Sequence, residues 1–149
     1  MLNFFSRKHQ GVSLIEVLMV ISIIGILSGI SVSGYFYYKK NSELDLSLWQ
    51  VANMLRKAKA NSVSVVEDDQ WGVRIEKDGV IVFRGGNFSE RDASFDSVVA
   101  LSGITEVSGV SQISFTKFSG LPSTSGSITL SSGLQTKNIQ INAAGIISY

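Results

Sequence analysis

The 22 consecutive uncharged residues from Val17 to Tyr38 constrain the fold of this chain more than any other feature. A helix crosses the roughly 30 Å hydrocarbon core of a bilayer with about 20 apolar residues. No later stretch of the sequence approaches this length, and beyond Lys39 the composition is that of a water-soluble domain. The sequence therefore predicts one membrane segment near the N-terminus, followed by a soluble region.

Composition excludes several classes of function. The 149 residues suffice for one small domain plus an extra element. A net charge of +1 gives no global electrostatic reason to expect nucleic acid or an acidic substrate. Because the chain has no cysteine, disulfides, thiol catalysis, lipoprotein anchoring and cysteine-based zinc sites are excluded together.

Three kinds of N-terminal segment fit the apolar run. The first is a secretory signal peptide cut after the apolar core, with Ser31–Ser33 as a small-x-small cleavage site. The second is a plain membrane anchor. The third is a short leader cut before the apolar core, so that the hydrophobic helix stays on the mature protein.

Glu16, at the start of the apolar run, favours the third interpretation. A charged side chain costs about 2.5–3.5 kcal/mol at the centre of a membrane helix, and less near the interface. Cleavage after Gly11 would offset this cost by creating a new amino terminus on Val12, one helical turn from Glu16. The same charge pair between neighbouring copies of the chain would fix how far one helix slides past the next.

The stretch "KHQGVSLIEVLMVISIIGIL" resembles the leader and helix start of type IV prepilins and type II secretion pseudopilins. That pattern has a basic leader, a glycine, a hydrophobic residue, Thr or Ser, Leu-Ile-Glu and an unbroken apolar helix. Five residues match it position by position, namely Gly11, Ser13, Leu14, Ile15 and Glu16. Val12 stands where the family most often has Phe or Met.

The resemblance implies a processing pathway and a location. A prepilin peptidase would cut between Gly11 and Val12 and methylate Val12 at its nitrogen. The chain would lie once across the cytoplasmic membrane, N-terminus inside, and Arg7 and Lys8 agree with that orientation. Its implied partners are the peptidase, membrane lipid, an inner-membrane assembly platform and other pilin subunits in a helical filament, in the periplasm or at the cell surface.

Small residues recur every four positions within the apolar run, at Gly25, Gly29 and Ser33. Small residues on one face let helices approach closely in lipid, so these positions are candidates for helix packing. Glycine and serine are also simply frequent in membrane helices, and that alternative stays open.

A second apolar stripe continues beyond the membrane segment at spacings of three and four, which indicates an amphipathic helix. It comprises Leu44, Leu48, Val51, Leu55, Ala58 and Ser62. We expect one helix from about Val12 to about Ser64, with this stripe packed on the chain's own β-domain.

After residue 70 the spacing of apolar residues changes from three and four to the two-residue alternation of strands. Trp71–Glu76 and Val80–Arg84 predict a hairpin, and "GGNFSERDASFDS" (85–97) predicts an irregular loop. Further strands are predicted at Val98–Leu101, Gln112–Phe118, Ser127–Leu130, Asn138–Asn142 and Ile146–Tyr149. These strands would form one antiparallel sheet, covered on one side by the helix.

The C-terminal strands resemble those of GspH/FimT-type minor pilins. The matching positions are Phe115, Gly120, Pro122, Gly126, Ile128, Leu130, Ile139, Ile141, Gly145 and Ile147. Some members of that group bind DNA through basic residues near the last strands. Here that region has only Lys137, whereas phosphate contacts need several cations, so DNA is not an expected partner.

Catalytic, cofactor and metal sites are not expected. The single histidine, His9, lies in the leader, so the serines have no histidine to activate them. The acidic run Glu67–Asp69 and the pair Asp92 and Asp96 lack the spacing of a calcium loop and are interpreted as solvated charges.

The predicted fold class is α+β and pilin-like. A long N-terminal helix, half transmembrane and half amphipathic, packs on a C-terminal antiparallel β-domain. The expected divisions are a leader (1–11), an assembly helix (12–38), its amphipathic continuation (39–66) and the β-rich domain (67–149). The expected function is a structural minor pilin or pseudopilin, and the alternative is a membrane-anchored or secreted β-domain that binds a ligand or DNA.

Overall fold

The computed structural model describes residues 11–104, 106–133 and 135–149, without the side chains of residues 30–34 and 37. Helix α1 runs from Leu14 to Val63, close to the predicted Val12–Ser64. The chain divides into two compact units, of which the first ends at Tyr37 and the second is Tyr38–Tyr149. The amphipathic part of α1 therefore belongs to the same unit as the strands.

In the first unit, the apolar side chains of α1 face outward. The large hydrophobic residues between Val12 and Leu27 are 49% to 82% exposed. No helix among the described residues is both long and apolar enough to span a membrane. The predicted run Val17–Tyr38 includes residues 30–34 and 37, whose side chains lie outside the described part.

In the second unit, the predicted stripe of α1 is buried. Leu44, Val51, Leu55 and Ala58 have no exposed surface, and Leu48 is 7% exposed. The three- and four-residue spacing places these side chains on one face, where they join the main hydrophobic core of the unit. The prediction that this face packs on the chain's own β-domain is confirmed.

The strands form two four-stranded antiparallel sheets, rather than the single sheet that was expected. The strands are β1 Trp71–Glu76, β2 Gly79–Arg84, β3 Asp92–Ala100, β4 Glu106–Gly109, β5 Gln112–Phe115, β6 Gly126–Ser131, β7 Thr136–Ile141 and β8 Ile147–Ser148. The first sheet has the order β3-β2-β1-β5 and the second has the order β4-β6-β7-β8.

The prediction of an irregular loop at 85–97 is wrong for the second half of that segment, because β3 begins at Asp92. Arg84 pairs with Asp92 across a register shift that follows Val82. β3 is an edge strand without a fully buried side chain, so its sequence does not show the apolar alternation that reveals a strand. β4 was also missed, since its four residues include only one apolar side chain, Val107.

The loop between β2 and β3 covers the outer face of the first sheet. Phe83 lies on that face and is fully buried. Its ring covers Gly72 of β1 and contacts the ring of Phe88. The centroids of the two phenylalanine rings are 5.4 Å apart, in the edge-to-face arrangement that aromatic pairs prefer. A small second apolar cluster thus stabilises the side of the sheet that faces away from the main core.

Candidate processing and assembly site

The predicted cleavage site lies just before α1 begins. Gly11, Val12 and Ser13 precede the helix and are exposed, and the Val12 side chain is 72% exposed. An extended, solvent-accessible segment is what a peptidase needs in order to reach a peptide bond. The structure is compatible with cleavage between Gly11 and Val12, although no feature of it tests that step.

Ser13 caps the helix. Its hydroxyl oxygen lies 3.3 Å from the backbone nitrogen of Glu16 and accepts a hydrogen bond from it. Ser13 and Glu16 therefore have the spacing of a capping box, in which the serine satisfies one of the free N–H groups at the helix start. This role of Ser13 was not among the predictions, although the pattern Ser-x-x-Glu before an apolar run signals a helix N-terminus.

Glu16 lies in the first turn of α1 and is exposed. An acidic side chain in the first turn interacts favourably with the partial positive charge of the helix N-terminus. The acid therefore has a local role as well as the predicted pairing with an amino terminus. The interaction with the helix terminus and the pairing with an amino group both need the negative charge, whereas a capping-box hydrogen bond at this position would need only a polar side chain.

Two glycines leave open space on the helix surface. A methyl group at Gly25 or Gly29 would contact nothing within 4 Å, so both positions have room for a close neighbour. The third predicted position, Ser33, has a side chain outside the described part. The described helix shows no second helix against these glycines, so the predicted packing role stays a prediction.

Two hydroxyl groups in the apolar run, those of Ser22 and Ser28, are satisfied within the helix. Ser22 donates to the carbonyl oxygen of Leu18 and Ser28 donates to that of Ile24, both at 2.7 Å. Bonds of this kind, four residues back, spare a hydroxyl donor from facing an apolar environment without a partner. This part of α1 thus presents an almost entirely apolar surface despite its serines.

A comparison with known protein families identifies this segment. The family model for the prokaryotic N-terminal methylation motif matches residues 6–32. The chain carries the prokaryotic N-terminal methylation motif. The methylation motif contains Gly11, Val12, Glu16, Gly25 and Gly29, and it ends one residue before Ser33.

The methylation motif is consistent with the type IV pilin and pseudopilin family, whose members are structural proteins. It implies processing by a prepilin peptidase, a membrane-anchored precursor and assembly with other pilins. No curated protein matches the chain. No solved structure matches it either.

Four of the five acidic residues considered as calcium ligands, Asp68, Asp69, Asp92 and Asp96, make other contacts. Asp69 pairs with Arg84 at 3.3 Å, and Asp96 pairs with Arg91 at 2.8 Å. Asp92 accepts hydrogen bonds from the backbone and hydroxyl of Ser94. Among the described residues, no three acidic or histidine side chains converge in a way that could hold a metal ion.

Proposed function

We propose that this chain is a structural minor pilin or pseudopilin. It is cut after Gly11, methylated at Val12 and assembled into a type IV pilus or a type II secretion pseudopilus. The observation that carries the proposal is the methylation motif at residues 6–32, in register with Gly11, Val12 and Glu16. The second unit then provides the surface of the filament, and the exposed apolar part of α1 provides its interior.

The exposed apolar side chains of α1 support this assignment. Side chains such as Leu14, Ile15 and Ile26, which are 65% to 82% exposed, need an apolar environment. Membrane lipid supplies that environment before assembly, with the N-terminus inside and the β-domain outside. Neighbouring helices supply it in the filament, where subunits stack by a heterologous, helical contact.

The assignment to the GspH/FimT type rests on residues of the second unit. Ile128, Leu130 and Ile139 are fully buried, and Gly120 and Gly145 have positive φ angles of 64° and 71°. These five residues of the resemblance are thus core and turn positions of the second unit. This agreement supports a minor rather than a major subunit, because the resemblance is to minor pilins.

Mass spectrometry of the mature N-terminus tests the proposal. When the chain is expressed with a prepilin peptidase, we expect a first residue of Val12 carrying one extra methyl group. Coexpression with a catalytically inactive peptidase is the control, and it should leave Met1 to Gly11 attached. A mature chain that starts after Ser33, or one that keeps Met1 with an active peptidase, would contradict the proposal.

A further inference from the structure

On its solvent-facing side, the part of the second sheet formed by β6, β7 and β8 carries hydroxyl and amide groups, whereas the charged Glu106 lies on β4 at the edge of that face. Because Ile128, Ile139 and Ile141 point into the core, the alternate residues of β6 and β7 point outward. The strand register places Ser127 beside Gln140, and Gln140 beside Ser148 of β8. Three neighbouring strands thus present one row of uncharged hydrogen-bonding groups.

This row lies in a groove. Two depressions, of about 540 Å³ and about 260 Å³, share Gln140 and Ser148. The larger volume falls within the range of small-molecule sites, about 300–1,000 Å³, and the smaller volume lies below it. The described residues around the groove include no charged side chain; they are Ser125, Gly126, Ser127, Asn138, Gln140, Ile141, Asn142, Ala143, Ile146, Ser148 and Tyr149.

The polar groups of the groove are free to bind a ligand. In the described part of the chain, the side chains of Ser127, Asn138, Gln140 and Ser148 make no hydrogen bond with another protein group, and all four are exposed. Asn142 differs, since its side-chain oxygen accepts from two backbone N–H groups and holds the β7–β8 turn. The groove therefore offers two amides and two hydroxyls on three strands, beside the turn that Asn142 holds.

An aromatic ring stands at one end of the groove in a fixed orientation. Tyr149 packs edge-to-face on Trp49 of α1, with ring centroids 5.1 Å apart. The guanidinium of Arg56 lies 5.2 Å from the centroid of the Tyr149 ring and 3.4 Å from its hydroxyl oxygen. Ile146, which is 60% exposed, adds an apolar surface elsewhere in the groove.

We propose that this groove binds a neutral oligosaccharide. Sugars present many hydroxyl groups that both donate and accept hydrogen bonds, and amide and hydroxyl side chains do the same. Sugars also have apolar C–H faces, which stack on a fixed aromatic ring such as that of Tyr149. Anionic polymers need several cations, and none of the described residues that line the groove has a cationic side chain; Arg56 lies outside the lining and contacts it only through Tyr149.

Titration of the full-length chain with neutral hexasaccharides tests the proposal. The chain is held in phosphatidylcholine nanodiscs, because a sugar-based detergent would compete for the groove. Maltohexaose, cellohexaose and chitohexaose are the probes, and calorimetry with saturation-transfer NMR gives the dissociation constant. A heparin hexasaccharide and a single-stranded dodecanucleotide are the anionic comparisons. We expect at least one neutral probe to bind more tightly than either anionic ligand.

Variants locate the site. Gln140→Ala should weaken binding of the neutral probe about tenfold, which corresponds to about 1.4 kcal/mol, the magnitude of one hydrogen bond. Tyr149→Ala should weaken it similarly, whereas Tyr149→Phe keeps the ring and should retain binding. Thr136→Ala, on the same sheet face but outside the groove, is the matched control and should bind like the wild type.

Three results would overturn the proposal. The first is no binding of any neutral probe at millimolar concentration, and the second is tighter binding of an anionic ligand. The third is equal binding by the Gln140→Ala and wild-type chains, with circular dichroism confirming that both are folded. None of these results bears on cleavage after Gly11, so this proposal and the proposed structural role stand or fall separately.

Discussion

At the scale of single residues, Glu16 has two roles that a pair of substitutions can separate. Glu16→Gln keeps a side chain suited to the third helical position of a capping box but loses the charge. Glu16→Ala loses both. If Glu16 pairs with the amino terminus of Val12 on a neighbouring copy, both variants should be cleaved and inserted normally, and both should fail to assemble.

Quantifying the subunit in sheared filaments by immunoblot measures this outcome, with Ser22→Ala as a control for a neutral change in the same helix. Normal assembly of Glu16→Gln alongside failure of Glu16→Ala would assign the residue to capping. Normal assembly of both variants would remove the charge-pair explanation.

Asp68 gives the stability of the second unit a dependence on acidity. Hydrogen bonding from Lys117, and the charge of that lysine, lower the pKa of Asp68 below its ordinary value of 3.8. The stabilisation that the contact between Asp68 and Lys117 provides is therefore fully present above the unfolded-state pKa of Asp68. It is lost as the pH falls through the lower, folded-state pKa.

In chemical denaturation, the Asp68→Asn variant should be less stable than the wild type at pH 6. The difference should shrink as the pH falls from about 4 toward 2. A difference that stays constant over this range would contradict the assignment.

At the scale of elements, Ser62 connects the end of α1 to the start of β1. Its buried hydroxyl oxygen accepts a hydrogen bond of 2.8 Å from the backbone nitrogen of Trp71. Ser62→Ala leaves that buried N–H group without a partner, which should lower the free energy of unfolding by about 1–3 kcal/mol. Ser64→Ala, two residues later and exposed, is the control and should change it by less than about 0.5 kcal/mol in urea titrations. Equal stability of the two variants would show that the bond contributes nothing.

Gly72 determines how closely the Phe83 ring of β2 packs over β1. A methyl group at residue 72 would collide with the buried ring of Phe83, which is the residue paired with it on β2. We expect Gly72→Ala to lower the free energy of unfolding by about 1–3 kcal/mol, as overpacking does. At Gly86 the added methyl would meet only the end of the Gln70 side chain, which can rotate away. Gly86→Ala should therefore be much less destabilised in the same denaturation series, and the reverse order would be incompatible with this packing.

The helix could be predicted from the sequence because its signals are local. The spacing of Leu44, Leu48, Val51 and Leu55 identifies the buried face, and no proline interrupts the run. The separation of the strands into two sheets could not be predicted, because it depends on pairings between distant segments. For example, β1 pairs with β5 some 40 residues later, and the sequence between them contains β2, β3 and β4.

The candidate functional sites also include a part that local sequence signals predict and a part that they do not. The cleavage position and the role of Glu16 stay predictions, made from a fixed local order of residues in the segment that the methylation-motif model matches. The groove on the second sheet could not be predicted, since it joins residues of β6, β7 and β8 that become neighbours only through strand register. Polar residues such as Gln140 and Ser148 give no periodic signal that separates a binding surface from an ordinary solvated one.

At the scale of the whole molecule, the two compact units rely on different surroundings. The second unit has its own apolar core, whereas the described side chains of the first are exposed. Replacing both Gly25 and Gly29 by leucine keeps the helix apolar but fills the space at both positions. If neighbouring subunits pack there, the double variant should insert into membranes normally but reduce filament yield at least about tenfold.

Membrane fractionation and filament yield measure the two properties separately. The matched control is Ile24→Leu with Ile26→Leu, which changes neighbouring positions without adding volume. A normal filament yield from the glycine double variant would exclude close packing at these positions.

The cap on α1 has a consequence for the timing of maturation. Ser13, which satisfies the helix start, lies on the C-terminal side of the proposed cut between Gly11 and Val12. The cut would leave the Ser13 cap in place, so precursor and product share the same helix N-cap. Besides removing the leader, the cut exposes the amino group of Val12. Maturation on this view converts one amide nitrogen, that of Val12, into an amine. The helix of the subunit is then already folded in the membrane before the cut is made.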